Sequence, residues 1–302
     1  MTAGTGRPGS RLQAHVPNSR RSRRWRRVAQ RWCSHALLYM LMIVIAAVLV
    51  FPGFWMVASS LKTKGDLMTL PPRWLPSALN WQNYTAPWEN LPFARFFMNS
   101  ALITCMAMLG AVISSSFIAY GFARFNVRGR DFLFLFVLST MMIPDAVTLI
   151  PRFILFARLK WIDTYLPLTV PFYFGSSFFI FLFRQFFSTL PRELDDAARI
   201  DGCSYLGVYA RIILPLSKPA LITASIFSFL WNWNDFLGPL VYVHSLEKYT
   251  AAIGLLFFQG QHYAEWGQVM AMSTLMTAPV IILFLILQRY YVQGIALTGL
   301  KG

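Results

Sequence analysis

The groups in this 302-residue chain that could make or break bonds are few and poorly spaced for it. His15, His35, His244 and His262 lie far apart, and none belongs to an H-E-x-x-H arrangement. Cys33, Cys105 and Cys203 have no metal-ligand spacing and imply no disulfide framework. No G-x-x-x-x-G-K-[ST] phosphate loop occurs, so the chain is not expected to hydrolyse ATP. Gly4-Thr-Gly6-Arg-Pro-Gly9 matches G-x-G-x-x-G only literally, because no strand precedes it and Pro8 opposes a helix. Of the 12 Asp and Glu, only four cluster, at Glu193, Asp195, Asp196 and Asp201. They follow Pro191, a residue suited to the first turn of a helix, and read as charges at a helix N-terminus rather than as an acid–base pair. A second polar group, Trp231-Asn232-Trp233-Asn234-Asp235, interrupts an apolar run with aromatic faces, amides and a carboxylate. No catalytic residue, metal site or bound cofactor is expected.

The surrounding chain is 56% hydrophobic and 13% charged, too apolar for an ordinary soluble protein. Residues 32–61, 96–123, 164–183 and 266–288 contain no Asp, Glu, Lys or Arg. Two further runs hold one acid each: about 132–151 with Asp145, and about 219–243 with Asp235. A span needs roughly 20 apolar residues, and the runs show no period-two alternation, so helices rather than a barrel are expected. The expected fold is an all-α membrane protein of about six transmembrane helices. With the N-terminus inside, cytoplasmic segments hold 19 of the 27 Lys and Arg, and the C-terminus returns to the same side. The formal charge of +15 then reflects topology, not nucleic-acid binding. Residues 1–31 read as a basic, disordered cytoplasmic tail, 32–292 as the six-helix domain and 293–302 as a cytoplasmic tail. The loop at about 62–95, rich in Pro and Trp, reads either as an interfacial connector or as a contact for an external protein. Asn83-Tyr84-Thr85 fits a glycosylation sequon, a triplet common by chance.

The loop 188–218 is where these acids fall. Glu193, Asp195 and Asp196 are expected near the positive end of a short helix, each contributing roughly 0.3–1 kcal/mol if exposed. Leu194, Ala197, Ala198 and Ile200 supply its apolar or small side. Gly202 is the expected stop, since Gly takes the left-handed conformation without a Cβ clash. A second short helix, about 203–213, is expected to end before Pro215. Two short helices joined by a sharp turn make an elbow along the membrane surface.

This loop resembles the "EAA" loop of ABC-importer permeases, patterned E-A-A, three residues, G, nine residues, I-x-L-P. Asp196-Ala197-Ala198, Gly202, Ile212, Leu214 and Pro215 stand in register, with the shorter Asp196 in place of Glu. The resemblance extends through Met142-Ile143-Pro144, Ile150-Pro151, Phe229 to Phe236, Gln288 to Gly294 and Gly299 to Gly302. Together these look like carbohydrate-importer permeases of the maltose and glycerol-phosphate type, the second of their two permease subunits.

The resemblance implies that the elbow is a coupling helix seated on an ATP-hydrolysing subunit, through Asp196, Ala197, Ala198, Asp201, Gly202, Ile212, Leu214 and Pro215. It also implies an ATPase dimer that binds ATP and Mg2+, a second, non-identical permease, an extracytoplasmic solute-binding protein and the inner membrane of a prokaryote. Trp231, Asn232 and Asp235 are candidates for a carbohydrate pathway. Asp235 has a second reading, as a cap where Phe236, Gly238 and Pro239 break the span. A permease for another small solute, or an ion-coupled secondary transporter, remains the alternative.

Overall fold

The computed structural model describes residues 19–258 and 265–299. Among them, all regular structure is helical. The chain divides at Trp55 into two units. The boundary falls on α1 (Ser19–Ser60), whose first part, through Trp55, is the whole described portion of the N-terminal unit. The helix starts at Ser19, which corrects the expectation of a disordered segment through residue 31. Arg is a good helix former and no Pro follows Pro17 until Pro52, so the basic run lengthens the helix ahead of the apolar stretch that begins at His35. Residues 1–18, with the G-x-G-x-x-G match, lie outside the described residues.

In the second unit, α2 (Lys64–Leu67) and α3 (Gln82–Asn90) occupy the loop after α1. Asn83 is buried here, and its amide donates to the carbonyls of Ser60 (2.8 Å) and Lys62 (2.9 Å). The sequon asparagine therefore serves the C-terminal carbonyls of α1, groups that a helix leaves unpaired. Asp66 is likewise buried and accepts from the amide and hydroxyl of Ser77 and from Arg73. These bonds from Ser77 hold its carboxyl below the usual range.

The long helix α4 (Phe93–Arg124) is the centre of the unit. Ala107, Gly110, Ala111, Ala119 and Ala123 keep one stripe small, which lets neighbouring helices approach closely. Phe179, Ile180, Phe183 and Phe187 of α8 (Ser177–Thr189) belong to the core cluster that includes Ala111, Ala119 and Ala123.

Among the described residues, four helices are long and apolar enough to cross a membrane: His35–Ser60, Phe93–Arg124, Leu166–Thr189 and Trp266–Gln288. Two bent pairs raise the number to six. One joins α5 (Arg130–Ser139), extended by a 3-10 turn through Met142, to α6 (Asp145–Arg158) across a 97° bend. The run over 132–151, read as one span holding Asp145, is thus bent where it was expected to be interrupted by that acid. Ile143 precedes Pro144 and is driven to extended backbone, which ends the first helix. The fourth span is also interrupted: α7 (Leu166–Thr189 being the whole run, Leu166–Thr169 its first helix) continues as a 3-10 segment to Phe174 before α8 begins.

After α8 come α9 (Glu193–Ile200) and α10 (Tyr205–Val208), then a π turn (Tyr209–Ile213) and α11 (Leu214–Leu216). The run Tyr205–Leu216 meets α12 (Lys218–Trp233) at 79°. The second limb of the elbow therefore runs through Pro215 instead of ending before it. The π turn takes up the ring and the missing amide of Pro215. α13 (Leu237–Tyr242) and α14 (Ala251–Gly254) precede α15 (Trp266–Gly299). The last helix includes 293–299, where a tail was expected; residues 300–302 lie outside the described residues.

Unwinding spans would leave backbone groups unpaired, and in an apolar setting each such group costs several kcal/mol. α4 supplies the partners. Ser115 accepts from the amide of Ser176 (2.9 Å), and Ser114 donates to Phe172 O (3.1 Å), at the break in the fourth span. Asn99 donates to Glu247 O and Tyr249 O, both at 2.9 Å, and Ser100 accepts from the amide of Ala251 (2.9 Å).

Candidate functional site

The elbow begins where α8 ends. Glu193, Asp195 and Asp196 lie in the first turn of α9, as charge and dipole dictate. Gly202 has φ +82° and reverses the chain. A Cβ there would meet nothing within 4 Å, so the requirement for Gly is one of backbone conformation, not of space. Ser204 then caps α10 by accepting from the amide of Gly207 (3.2 Å).

The two limbs differ in what they show outward. Asp196, Ala197, Asp201 and Gly202 are exposed, and Ile200 is 86% exposed. Ala198 is buried, and Ile212 and Leu214 are half-buried beside the core cluster. Pro215 is exposed. The small and apolar side chains of α9 therefore do not share one side, as the sequence reading had them. Ala198 packs inward, while Ala197 and Ile200 lie on the exposed side with Asp196.

Asp195, adjacent to Asp196, turns inward. Its Oδ2 lies 3.1 Å from Nε of Arg124, whose side chain is 4% exposed. Arg124 also donates to Leu190 O (3.1 Å). Burial pushes the Asp195 carboxyl above its usual range, and Arg124 opposes that rise without cancelling it. Tyr120 donates to Tyr205 O (3.0 Å), and the hydroxyls of Ser116 and Tyr209 are 2.8 Å apart. A cleft of about 580 Å3 opens between the elbow and the end of α4, lined in part by Arg124, Arg192, Asp195, Arg199 and Tyr205. Asp195 and Arg124 were missed as site residues. Arg124 follows an apolar run, but Asp195 sits in a charged cluster, so nothing in the spacing pairs the two.

The fifth-span group is distributed along a break. α12 ends at Trp233, so Asn232 and Asp235 do not occupy one continuous helical face. Asn232 and Asn234 donate to Ser228 O (2.7 Å) and Leu230 O (2.8 Å), one turn back along their own helix. Asp235, one residue before the N-cap position Phe236, accepts from the amide of Gly238 (3.1 Å) in the first turn of α13 and so pairs one of the amides that a helix start leaves free. A Cβ at Gly238 would come within 2.3 Å of the Asp235 carboxylate, so a side chain there would displace it. Trp231 is 50% exposed and packs against Phe178 and Phe179, with centroids 5.3 Å apart in both cases. Asp145 is exposed at the start of α6 and paired with Arg152. Among the described residues, no group of three or more His, Cys, Asp and Glu is placed to hold a metal ion.

Membrane-length helices, broken spans and a two-limbed elbow held at one end of the central helix define a polytopic transport subunit. The chain belongs to the family described as binding-protein-dependent transport system inner membrane component, whose model matches residues 111–297. It is 34% identical over 270 residues to the probable ABC transporter permease protein YurM of Bacillus subtilis (strain 168), covering 88% of this chain and 87% of that protein. It is 33% identical over 268 residues to the arabinooligosaccharides transport system permease protein AraQ of the same strain, covering 88% and 95%. The fold matches that of a chain in the crystal structure of a bacterial ABC transporter involved in the import of the acidic polysaccharide alginate. The TM-score is 0.76, at 20% identity, with 86% of this chain and 96% of that chain covered.

Proposed function

We propose that this chain is a permease subunit of an ATP-driven carbohydrate importer. It pairs with a second, non-identical permease, two ATPase copies and an extracytoplasmic solute-binding protein. ATP and Mg2+ bind the ATPase, and no nucleic acid takes part. The carbohydrate reading is supported by relatives such as AraQ and by the aromatic and amide groups of the fifth span. Both termini and the elbow lie in the cytoplasm, on the side favoured by the basic residues.

The observation that carries the reading is the outward side of the elbow. Asp196, Ala197, Ile200 and Asp201 are exposed there, while the inward side is bonded to α4. An exposed isoleucine ringed by small and acidic residues suits a protein cleft edged by Arg or Lys. Gly202, Ile212, Leu214 and Pro215 shape the limbs behind it. Closure of the two ATPase copies then moves the elbows of the paired permeases as rigid bodies and alternates access. Trp231 offers its exposed ring to the pathway, with Asn232 and Asp235 beside the helix break.

Asp196→Lys tests the docking. The variant is expected to reach the membrane at the normal level but to lose copurifying ATPase. Wild-type retention of the ATPase by Asp196→Lys and by Ile200→Glu would remove this face as the dock.

A further inference from the structure

Ser116, Tyr120 and Arg124 are spaced four residues apart, so they lie on one side of α4 over two helical turns, about 12 Å of axis. Each bonds a different part of the elbow. Arg124 takes Leu190 O and Asp195 at the first limb, Tyr120 takes Tyr205 O at the start of the second, and Ser116 takes the Tyr209 hydroxyl in the π turn. The rings of Tyr120 and Tyr209 add a contact at 5.2 Å. The opposite end of the same helix holds the segment 247–251 through Asn99 and Ser100. One helix of about 48 Å thus grips both limbs at one end and the loop between the fifth and sixth spans at the other.

We propose that Ser116, Tyr120 and Arg124 are positioning residues that make the elbow and α4 one rigid lever. Displacement of the elbow by the ATPase is carried through them to residues 247–251. This rests on the reading that the elbow is the docking site. Neither limb can shift along α4 without breaking polar contacts: the buried Ser116–Tyr209 bond, the part-buried bonds to Tyr205 O and Leu190 O, and the Arg124–Asp195 ion pair. Rigid motion is therefore cheaper than sliding. The three contacts are not themselves part of the outward docking face.

The experiment uses the assembled complex with its ATPase. Spin labels at Leu206→Cys on the second limb and Ile113→Cys on α4, both exposed, in a background carrying Cys33→Ser, Cys105→Ser and Cys203→Ser, report the elbow-to-α4 distance. It is expected to change by less than about 2 Å, the scale of a helix shift, between the nucleotide-free and ATP–vanadate-trapped states. A fluorophore at Leu102→Cys, near the other end of α4, is expected to respond to trapping. Two variants loosen the ladder: Tyr120→Phe, and Ser116→Ala combined with Tyr209→Phe. The second removes both partners of one bond and so leaves no unpaired group. Combined, they are expected to keep the ATPase bound and hydrolysing ATP, to let the elbow distance change with nucleotide, and to abolish the response at 102. A distance that already changes in the intact ladder overturns the proposal, as does a normal response at 102 in the loosened chain. Loss of the ATPase from the ladder variants alone also overturns it, since the contacts would then only shape the dock. Failure of the unaltered chain to bind the ATPase refutes the docking reading itself, and this proposal with it.

Discussion

Asp163 shows how much one carboxylate can organise. It sits at φ +58°, a conformation that Asp and Asn tolerate better than other side chains. It accepts from the amides of His244 (3.0 Å) and Ser245 (2.9 Å), from the Ser245 hydroxyl and from Lys248. The bonds from Ser245 and His244 hold its carboxyl far below the usual range. A depressed native value means that the stabilisation is complete above the unfolded value, about 3.9, and is lost as pH falls toward the native one. Protection factors of the His244 and Ser245 amides, taken against the intrinsic exchange rate at each pH, are therefore expected to stay level from neutral pH down to about pH 4 and to fall below it. Asp163→Asn keeps the backbone tolerance but loses the charge, and is expected to quicken that exchange at pH 7, by an opening cost lower by on the order of 1 kcal/mol. Adjacent acids also show the limit of sequence reading. Asp195 and Asp196 look equivalent in the chain, yet a turn of about 100° separates a buried ion pair from an exposed charge. Arg124, which decides between them, is remote in sequence.

At the scale of elements, the turns and breaks were legible where a backbone rule forces them. Gly202 could be read as a stop because few other residues accept its φ. Gly202→Asn is expected to retain the elbow, whereas Gly202→Val strains it by about 1–3 kcal/mol and is expected to reduce the ATPase recovered with the membrane protein. The break in the fifth span could likewise be read from Gly238 and Pro239. There, Asp235→Asn keeps an acceptor for the Gly238 amide and is expected to behave like wild type in thermal stability. Asp235→Ala loses that acceptor and is expected to cost about 0.5–2 kcal/mol. If Asn fails as badly as Ala in transport while matching wild type in stability, the charge itself is used. The bend at Pro144 was less legible. Proline marks a possible break, but the 97° turn depends on what α5 and α6 pack against. Pro215 misled in the opposite direction, because a π turn absorbs the fault that was expected to end the helix.

At the scale of the whole molecule, the distribution of basic residues is the property that composition alone makes visible. Arg20, Arg21, Arg23, Arg24, Arg26 and Arg27 fall within the first part of α1. Replacing all six with Gln preserves helix propensity while removing the charge. The expected result is a smaller fraction of chains inserted with the N-terminus inside, measured with reporter fusions after each span. An unchanged orientation would assign the topology to the later basic loops. What no compositional reading could supply is the division of labour among helices. Between its ends, α4 carries polar Ser, Asn and Tyr side chains scattered through an apolar run, and their purpose appears only where neighbouring segments meet them.

That service makes α4 a constraint on how such proteins can be recombined. Ser115 belongs with the gap at Ser176, and Asn99 with the turn at Glu247 and Tyr249. A chimaera that grafts this second span from a relative without its client segments would leave donors and acceptors facing apolar neighbours. One that moves α4 together with residues 170–177, 190–209 and 244–251 keeps these bonds within the graft. The unit of inheritance in this architecture is then a set of distant segments, and crossover points chosen by span number alone would cut through it.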